Sequence, residues 1–352
     1  MRVVGLSNAG AGVLVGEGTG GFIMRKAWTR EWRVSAVVAA VAVVAGMALA
    51  APAMKITLAG GSVGGAWSTM GTAIGETIRL EAPGSSFTYE PGVDAANVQL
   101  VSNGKVQLGI THAQMALRGI KGDEPFKAKT TDIKAIALLD PQAAVQILVA
   151  KDSKIQSLAQ IKKDKMPVRL AFNKRGTMMA VVGEEVFKAA GISTADIAQW
   201  GGRIDYVDYN TGLTQLKNGQ TDLVLNMLAF PSAQVNGVAR DLPLRLIGLD
   251  KLVIDKLSAD VGTKPVTIPA GSYTFAADAV NTVTGMVVLV ASDKMPDNEA
   301  AAIVSGMIKH YDYLEKAYPP FSRMGTKALP DVAPLTLHPG AAKAYRAAGL
   351  LK

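Results

Sequence analysis

Residues Leu58–Trp67 read LAGGSVGGAW, and this glycine-rich stretch decides the fold. The apolar run Lys55–Ala59 before it predicts a strand, and the apolar residues from Trp67 to Ile78 recur at the spacing of an amphipathic helix. A glycine loop between a strand and a helix is compatible with three kinds of site. It can expose a nucleophilic serine on a G-x-S-x-G elbow, cradle a phosphate or nucleotide, or close its backbone N–H groups on a carboxylate.

The second half of the chain repeats the order strand, glycine loop, helix, strand, helix, strand. Val168–Phe172 predicts a strand, Asn173–Thr177 a loop and Tyr206–Tyr209 a further strand. An Asn-Gly pair closes a helix in each half, at 103–104 and at 218–219. This alternation predicts an α/β protein with mostly parallel sheets flanked by helices. If the two halves face each other, two helix N termini point into one cleft and attract an anion.

The composition excludes several function classes. The chain has 352 residues, enough for two domains, and no cysteine, so disulfides, thiolate metal sites, a cysteine nucleophile and lipoprotein attachment are all excluded. The formal net charge is +8, but the lysines and arginines alternate with acids and lack interleaved aromatics. A solvated, mildly basic surface is therefore favoured over a nucleic-acid partner.

The N-terminal part of the sequence is typical of an export signal. From Met24 the chain reads MRKAWTREWR, then an apolar run, then small residues spaced A-x-A near Ala50 and Ala53. This order predicts a secretory signal peptide within residues 1–53, cleaved after Ala50 or Ala53, with Met24 as an alternative start site. The apolar run is shorter than the about 20 residues of a membrane span. We therefore expect a periplasmic protein that begins near Met54, is not a lipoprotein and has no membrane insertion after cleavage.

Catalytic and cofactor sites find little support. The only histidines are His112, His310 and His338. Ser62 follows the first strand of the mature chain, so no earlier strand supplies the oxyanion-hole N–H of that fold. The glycines do not have G-x-G-x-x-G spacing, and no two histidines have metal-ligand spacing. We expect no cofactor and no metal. His310 fits a helix edge, and His338 fits a turn or cap.

A carboxylate or a similar small anion is the remaining ligand, and candidate contacts lie at four places along the chain. They are Gly61, Ser62, Gly64, Gly65 and Trp67 in the first loop, Asn97 at a helix start, Thr111, His112 and Gln114 at a strand end, and Asn173, Lys174, Arg175, Gly176 and Thr177 in the second loop. Arg175 is the strongest candidate, because a guanidinium binds a carboxylate with two parallel hydrogen bonds. A solvated Arg175, a buried Trp67, a structural His112 and Asp94 as a helix cap are the alternatives.

Several stretches resemble the TAXI-type extracytoplasmic solute receptors of TRAP transporters. They are ITLAGGSVGGAWSTMGTAIGETI from Ile56, GVDAANVQLVSNGKVQLGITHAQMALRGIKG from Gly92, VTIPAGSY from Val266 and PLTLHPGAAKAYRAAG from Pro334. The resemblance covers about 54–352, and the stretches come in the order found in the family. IPAGSY and LHPGA are the most specific of them.

The resemblance implies a two-lobed fold like that of type II periplasmic binding proteins. It implies lobe 1 at 54–146 and 288–352, lobe 2 at 147–287, and a cleft that closes on a small organic anion such as a dicarboxylate, a 2-oxo acid or a glutamate-like amino acid. Gln142–Val149 and Val283–Ala291 are the expected paired hinge segments. The receptor is then a monomer, not an enzyme, and delivers its ligand to the membrane subunits of a TRAP permease.

Two departures from the family pattern bear on the ligand. Residues 112–114 read His-Ala-Gln where the family usually has a Gln-Ser-Asp-like turn. Lys174 and Arg175 stand in a loop that is usually small and rich in glycine and serine, and two cations there favour a more acidic ligand or one with a second carboxylate. Two rival functions remain: an exported enzyme that uses Ser62 or His112, and a periplasmic receptor for a sensor or an ATP-driven importer.

Overall fold

The computed structural model describes residues 52–352, and residues 1–51 of the predicted signal peptide lie outside the described residues. The strands are β1 (Lys55–Gly60), β2 (Ser86–Pro91), β3 (Leu108–His112), β4 (Ile133–Ala150), β5 (Arg169–Phe172), β6 (Arg203–Tyr206), β7 (Leu223–Leu228), β8 (Leu244–Ile247), β9 (Lys264–Ile268) and β10 (Val280–Ser292). The helices are α1 (Ala66–Glu81), α2 (Asp94–Ser102), α3 (Ala113–Lys121), α4 (Leu158–Asp164), α5 (Met178–Ala189), α6 (Thr194–Gln199), α7 (Tyr209–Lys217), α8 (Ala233–Ala239), α9 (Lys251–Val261), α10 (Asp297–Lys309), α11 (Tyr311–Ala317), α12 (Pro320–Met324) and α13 (Pro339–Ala347), with a 3₁₀ turn at Thr326–Ala328.

The predicted internal repeat is present as two equivalent groups of parallel strands. In the first strand group the order is β2-β1-β3, and in the second strand group it is β6-β5-β7, so the first strand of each repeat lies at the centre of its group. Each Asn-Gly pair ends its helix as predicted, and Gly104 and Gly219 have the same φ of +66°. The two-lobed α/β fold class predicted from the sequence is confirmed.

Two long strands connect the strand groups and make the sheet mixed. β4 and β10 pair with each other over most of their length, β10 also pairs with β3, and β4 also pairs with β7. All of these pairings are antiparallel, so the expected parallel character is limited to the two strand groups. Helical crossovers produce the parallel neighbours within each group, whereas β10 borders the first group at β3 and β4 borders the second group at β7. The predicted hinge segments are thus neighbouring strands.

Periodic apolar residues fill the interior as the sequence predicts. Met70, Ile74 and Ile78 of α1 are fully buried, and so are Val98 and Val101 of α2. These side chains lie at the spacing of one helix face, which each helix turns towards the sheet. Burial of the apolar face of α1 fixes the helix against the sheet, and with it the first glycine loop at the end of β1.

One strand prediction is wrong in its position. The strand expected at Tyr206–Tyr209 is β6, which ends at Tyr206, and Tyr209 already begins α7. Asp208 ends the extended segment because its side chain accepts a hydrogen bond from the Thr211 N–H and caps the helix. Over residues 52–352, no helix has the length and hydropathy needed to span a membrane.

Candidate functional site

The first glycine loop opens a helix that has no side-chain cap. The Gly65 N–H donates to Ser62 O at 3.1 Å, and Gly64 has a φ of +76°, which glycine adopts without strain. Gly65 is the N-cap residue of α1, and no side chain caps the N–H groups of the first turn. Since the first N–H groups of a helix have no partner within it, this N terminus offers free donors to an anion.

The second loop brings a cation to the same place. Lys174 Nζ lies 3.3 Å from Ser62 Oγ, although the two residues belong to different strand groups. Between the loops is a cavity of about 100 Å³. Of the predicted contacts, Gly61, Ser62, Gly65, Trp67, Asn173, Lys174 and Thr177 line it. The cavity therefore combines an ammonium group, a hydroxyl and an uncapped helix start.

The start of α5 is occupied by a carboxylate of the chain itself. Asp94 is fully buried, and its Oδ2 accepts a hydrogen bond from the Met178 N–H at 2.9 Å. Its Oδ1 accepts from the His112 backbone N–H at 2.9 Å. The expectation that Asp94 caps α2 is wrong, because Val93 is the N-cap residue and Asp94 the first residue of the helix. Asp94 instead joins the two strand groups.

His112 is held by Asp94 rather than by the cavity. Its Nδ1 lies 2.7 Å from Asp94 Oδ1 and carries the proton of this hydrogen bond, since a carboxylate can only accept. Its Nε2 is buried and has no hydrogen-bond partner, and its ring centroid lies 5.2 Å from that of Trp67. Ser62 Oγ and His112 Nε2 therefore do not form the hydrogen bond that a serine nucleophile needs from its base.

Amide side chains form the wall on the side of the second strand group. Gln234 Nε2 donates to Asn210 Oδ1 at 2.7 Å, and Asn173 Nδ2 donates to Asn226 Oδ1 at 3.3 Å. Asp208 also lines the cavity. Burial opposes its ionisation, but hydrogen bonds from the Thr211 hydroxyl and N–H prevail and lower its pKa below the ordinary value. Apart from Asp208, this wall offers neutral donors and acceptors.

Several predicted contacts lie elsewhere. Arg175 stacks 3.6 Å from the Tyr206 ring centroid and 3.6 Å from Glu184, in a separate surface groove. Gln114 faces another cavity, where its Nε2 donates to Gly262 O. Gly64, Asn97, Thr111, His112 and Gly176 also lie outside the cavity lining. Because Arg175 points away from the cavity, only Lys174 of the two cations expected in the second loop lines it.

Asn97 supports the site from behind. The side chain is fully buried, and its Nδ2 donates to Gly60 O at 2.9 Å and to Ile110 O at 2.8 Å. Gly60 is the last residue of β1, so Asn97 fixes the point at which the first loop begins. Gly176 joins the strand groups through its carbonyl, which accepts from the Ala95 N–H at 2.9 Å.

Sequence reasoning missed the cavity residues at the start of α7 and at the end of β7. These are Asp208, Tyr209, Asn210, Asn226, Met227 and Leu228, together with Gln234 of α8. The internal repeat could have indicated these residues. Asp208 follows a valine just as Asp94 does, and Asn226 lies on the strand equivalent to β3, so the residues considered in the first half have counterparts here.

A buried carboxyl group lies on β4, within electrostatic range of the His112 ring. Asp140 is 2% exposed, its Oδ2 accepts from the Tyr318 hydroxyl at 2.8 Å, and its Oδ1 accepts from the Gln142 N–H. Burial raises the pKa of Asp140, and the two hydrogen bonds and the His112 ring offset this only in part. The folded protein therefore holds a proton on Asp140 more tightly than the unfolded chain does.

Asp140→Asn is expected to change the pH dependence of stability. A raised folded pKa means that the wild type gains stability as the pH falls through that pKa towards the unfolded value of about 3.9. The variant lacks this gain, so its stability relative to wild type is expected to be highest at neutral pH and to decline on acidification. Urea denaturation between pH 4 and pH 7 measures the difference. A relative stability that rises on acidification would contradict the assignment.

Comparison with known proteins relates most of the described region to one family. A model described as NMT1-like family matches residues 58–349. Among solved structures, PhnD1 from Prochlorococcus marinus, in complex with methylphosphonate, aligns with a TM-score of 0.53 at 10% identity over 84% of this chain and 99% of that chain.

Two further structures have the same fold. MatC from Rhodopseudomonas palustris, with bound malate, aligns with a TM-score of 0.52 at 12% identity over 77% of this chain and 89% of that chain. The binding protein component of an ABC phosphonate transporter from Pseudomonas aeruginosa aligns with a TM-score of 0.51 at 12% identity, over 76% and 79%. At such identities the similarity concerns the fold, which is that of periplasmic solute-binding proteins.

Proposed function

Because the chain belongs to the NMT1-like family and has the fold of periplasmic solute-binding proteins, we propose that it is the extracytoplasmic receptor of a TRAP-type secondary transporter, of the TAXI kind. It binds a small organic anion, such as a dicarboxylate, a 2-oxo acid or a glutamate-like amino acid, and delivers it to the membrane subunits of the permease. It acts in the periplasm and catalyses no reaction.

One observation carries the proposal. Lys174 Nζ, Ser62 Oγ and the uncapped start of α1 line the same small cavity. An ammonium group and a helix N terminus both favour negative charge, and a hydroxyl completes the hydrogen bonding of a carboxylate oxygen. A carboxylate bound here contacts both strand groups at once, and it therefore favours the closed arrangement of the two lobes.

Closure is the event that the permease detects in this proposal. We place the lobe boundaries at 146/147 and 287/288, which fall within β4 and β10, so that these two long strands bend as the hinge. The contacts Lys174–Ser62 and Asp94–Met178 join the strand groups and form on closure. A ligand must bind the closed state more tightly than the open one, because equal affinity leaves the equilibrium unchanged.

Thermal-shift screening of residues 54–352 against organic acids tests the function. At a concentration about 100 times the Kd, a ligand stabilises the folded state by about 2.7 kcal/mol, which corresponds to a Tm increase of roughly 5 °C. We expect such a shift with at least one carboxylate of two to six carbons. The proposed function is wrong if neutral analogues of the same acids raise Tm equally or if no acid raises it.

A further inference from the structure

Several helices begin at the wall of the cavity, among them α1, α2, α5 and α7, and aspartates of the chain accept hydrogen bonds from the first turns of α5 and α7. Asp94 Oδ2 accepts from the first N–H of α5, and Asp208 Oδ1 accepts from the Thr211 N–H in the first turn of α7. α1 begins without a side-chain cap and without a carboxylate in its first turn. Asp94 and Asp208 stand at similar positions of the internal repeat, since each follows a valine between the second parallel strand of its half and the next helix. Asp94 is the first residue of α2, and Asp208 is the N-cap residue of α7.

Asp94 leaves little capacity for a second external anion. Its carboxylate is fully buried and accepts three N–H donors: the Met178 N–H at 2.9 Å, the His112 backbone N–H at 2.9 Å and His112 Nδ1 at 2.7 Å. These are the donors that a ligand carboxylate at the start of α5 needs. A second negative group placed there meets a buried like charge in a water-poor site, where repulsion is strong.

The charges around the cavity also disfavour a second negative group on the ligand. Among the described residues that line it, the charged ones are Lys174, Asp94 and Asp208, so a single cation faces the ligand. The remaining polar groups on the second-lobe wall are neutral, and Asn210, Asn226 and Gln234 are amides. Amides pair with hydroxyl, keto or amide groups at no cost in charge, whereas a carboxylate next to them has no counterion.

From this arrangement, and resting on the proposed function, we propose that Asp94 is a specificity-determining residue that restricts the ligand to a single carboxylate. The carboxylate binds at the start of α1 beside Lys174. The other end of the ligand carries neutral hydrogen-bonding groups that face the amide wall. The ligand class is then a small hydroxy- or oxo-monocarboxylate, and dicarboxylates are discriminated against.

A matched pair of acids tests the inference on the wild-type protein. 2-Hydroxybutyrate and malate have the same four-carbon skeleton and differ in the second carboxylate, and calorimetric titration of residues 54–352 compares their affinities. We expect 2-hydroxybutyrate to bind at least about 10-fold more tightly, about 1.4 kcal/mol. Equal or tighter binding of malate overturns the inference and leaves the proposed function intact. Binding of neither acid, together with a failed screen of the other acids, overturns both.

Removal of the internal carboxylate gives an independent readout. Asp94→Ala exposes the N–H groups of Met178 and His112, and formate has the size and charge of the missing group. We expect sodium formate to raise the Tm of D94A more than sodium chloride does at equal ionic strength. For wild type and for the exposed-site control Asp255→Ala, we expect the two salts to shift Tm equally.

D94A is also expected to lose the preference for 2-hydroxybutyrate over malate. A folded D94A that shows neither effect overturns the inference, and if D94A does not fold, the wild-type comparison decides.

Discussion

Lys174→Met is expected to weaken binding of the organic anion about 10- to 100-fold. Methionine keeps the unbranched apolar stem but removes the ammonium group, whose Nζ lies 3.3 Å from Ser62 Oγ at the cavity. A hydrogen bond to a charged group contributes about 1.5–3 kcal/mol, and each 1.4 kcal/mol is tenfold in affinity. Calorimetric titration with the acid that gives the largest thermal shift measures the loss.

The neighbouring cation provides a matched control. Arg175 forms an ion pair with Glu184 and stacks on Tyr206, outside the cavity lining. Arg175→Met is therefore expected to change the affinity by no more than about twofold, since an exposed charge at a distance is screened by salt. Equal losses in K174M and R175M would indicate that general surface charge, and not a direct contact, attracts the ligand.

Asn97→Leu is expected to lower the free energy of unfolding by about 2–5 kcal/mol. The Nδ2 group donates to Gly60 O and Ile110 O, and leucine of similar size leaves both buried carbonyls without this donor. Each buried polar group left unsatisfied costs about 1–3 kcal/mol. Because Gly60 is the end of β1 and the beginning of the first loop, ligand affinity is expected to fall as well. Urea denaturation measures the stability loss.

Gln99→Leu is the control for this substitution. Gln99 lies on the exposed side of the same helix, so the change in side-chain type is equivalent while no buried hydrogen bond is lost. Its effect on stability is expected to stay within about 0.5 kcal/mol. If the two variants lose the same stability, the two hydrogen bonds of Asn97 do not hold the loop.

The features predicted correctly from the sequence are those determined by residues close together in the chain. The strand–loop–helix order, the apolar stripes and the two Asn-Gly helix ends depend on periodicity and on glycine at positive φ, which a short window contains. His338 was expected to cap a turn, and its Nδ1 accepts from the Gly340 N–H at 3.2 Å, which confirms this. The two glycine loops also meet, as expected of equivalent strand ends.

The details of the site depend on contacts between distant parts of the chain. Whether Lys174 or Arg175 turns towards the cavity is decided by Tyr206 and Glu184, which lie on other elements. The acceptor role of Asp94 depends on the approach of Met178 from the other half of the repeat. Short sequence patterns carry no information on distances between residues that are far apart in the chain. From the sequence alone, Asp94 is therefore interpreted as a cap and Arg175 as the strongest ligand contact.

The stretches most specific to the resembling family serve the fold rather than the cavity. In IPAGSY the Tyr273 hydroxyl donates to Gln146 Oε1 at 2.6 Å and accepts from the Ser232 N–H at 2.9 Å, and the ring is buried. In LHPGA the relevant contact is the His338 cap. These two stretches therefore indicate the architecture and do not line the cavity.

The pairing of β3 with β10 has a consequence for the order in which the polypeptide matures. Thr111 pairs with Val288. One edge of β3 therefore stays unpaired until β10, which is synthesised much later, is available. Contacts between positions so far apart in sequence slow folding, and an unpaired strand edge invites association with other chains. We therefore expect refolding of the denatured chain to be slow and to compete with aggregation as the protein concentration rises.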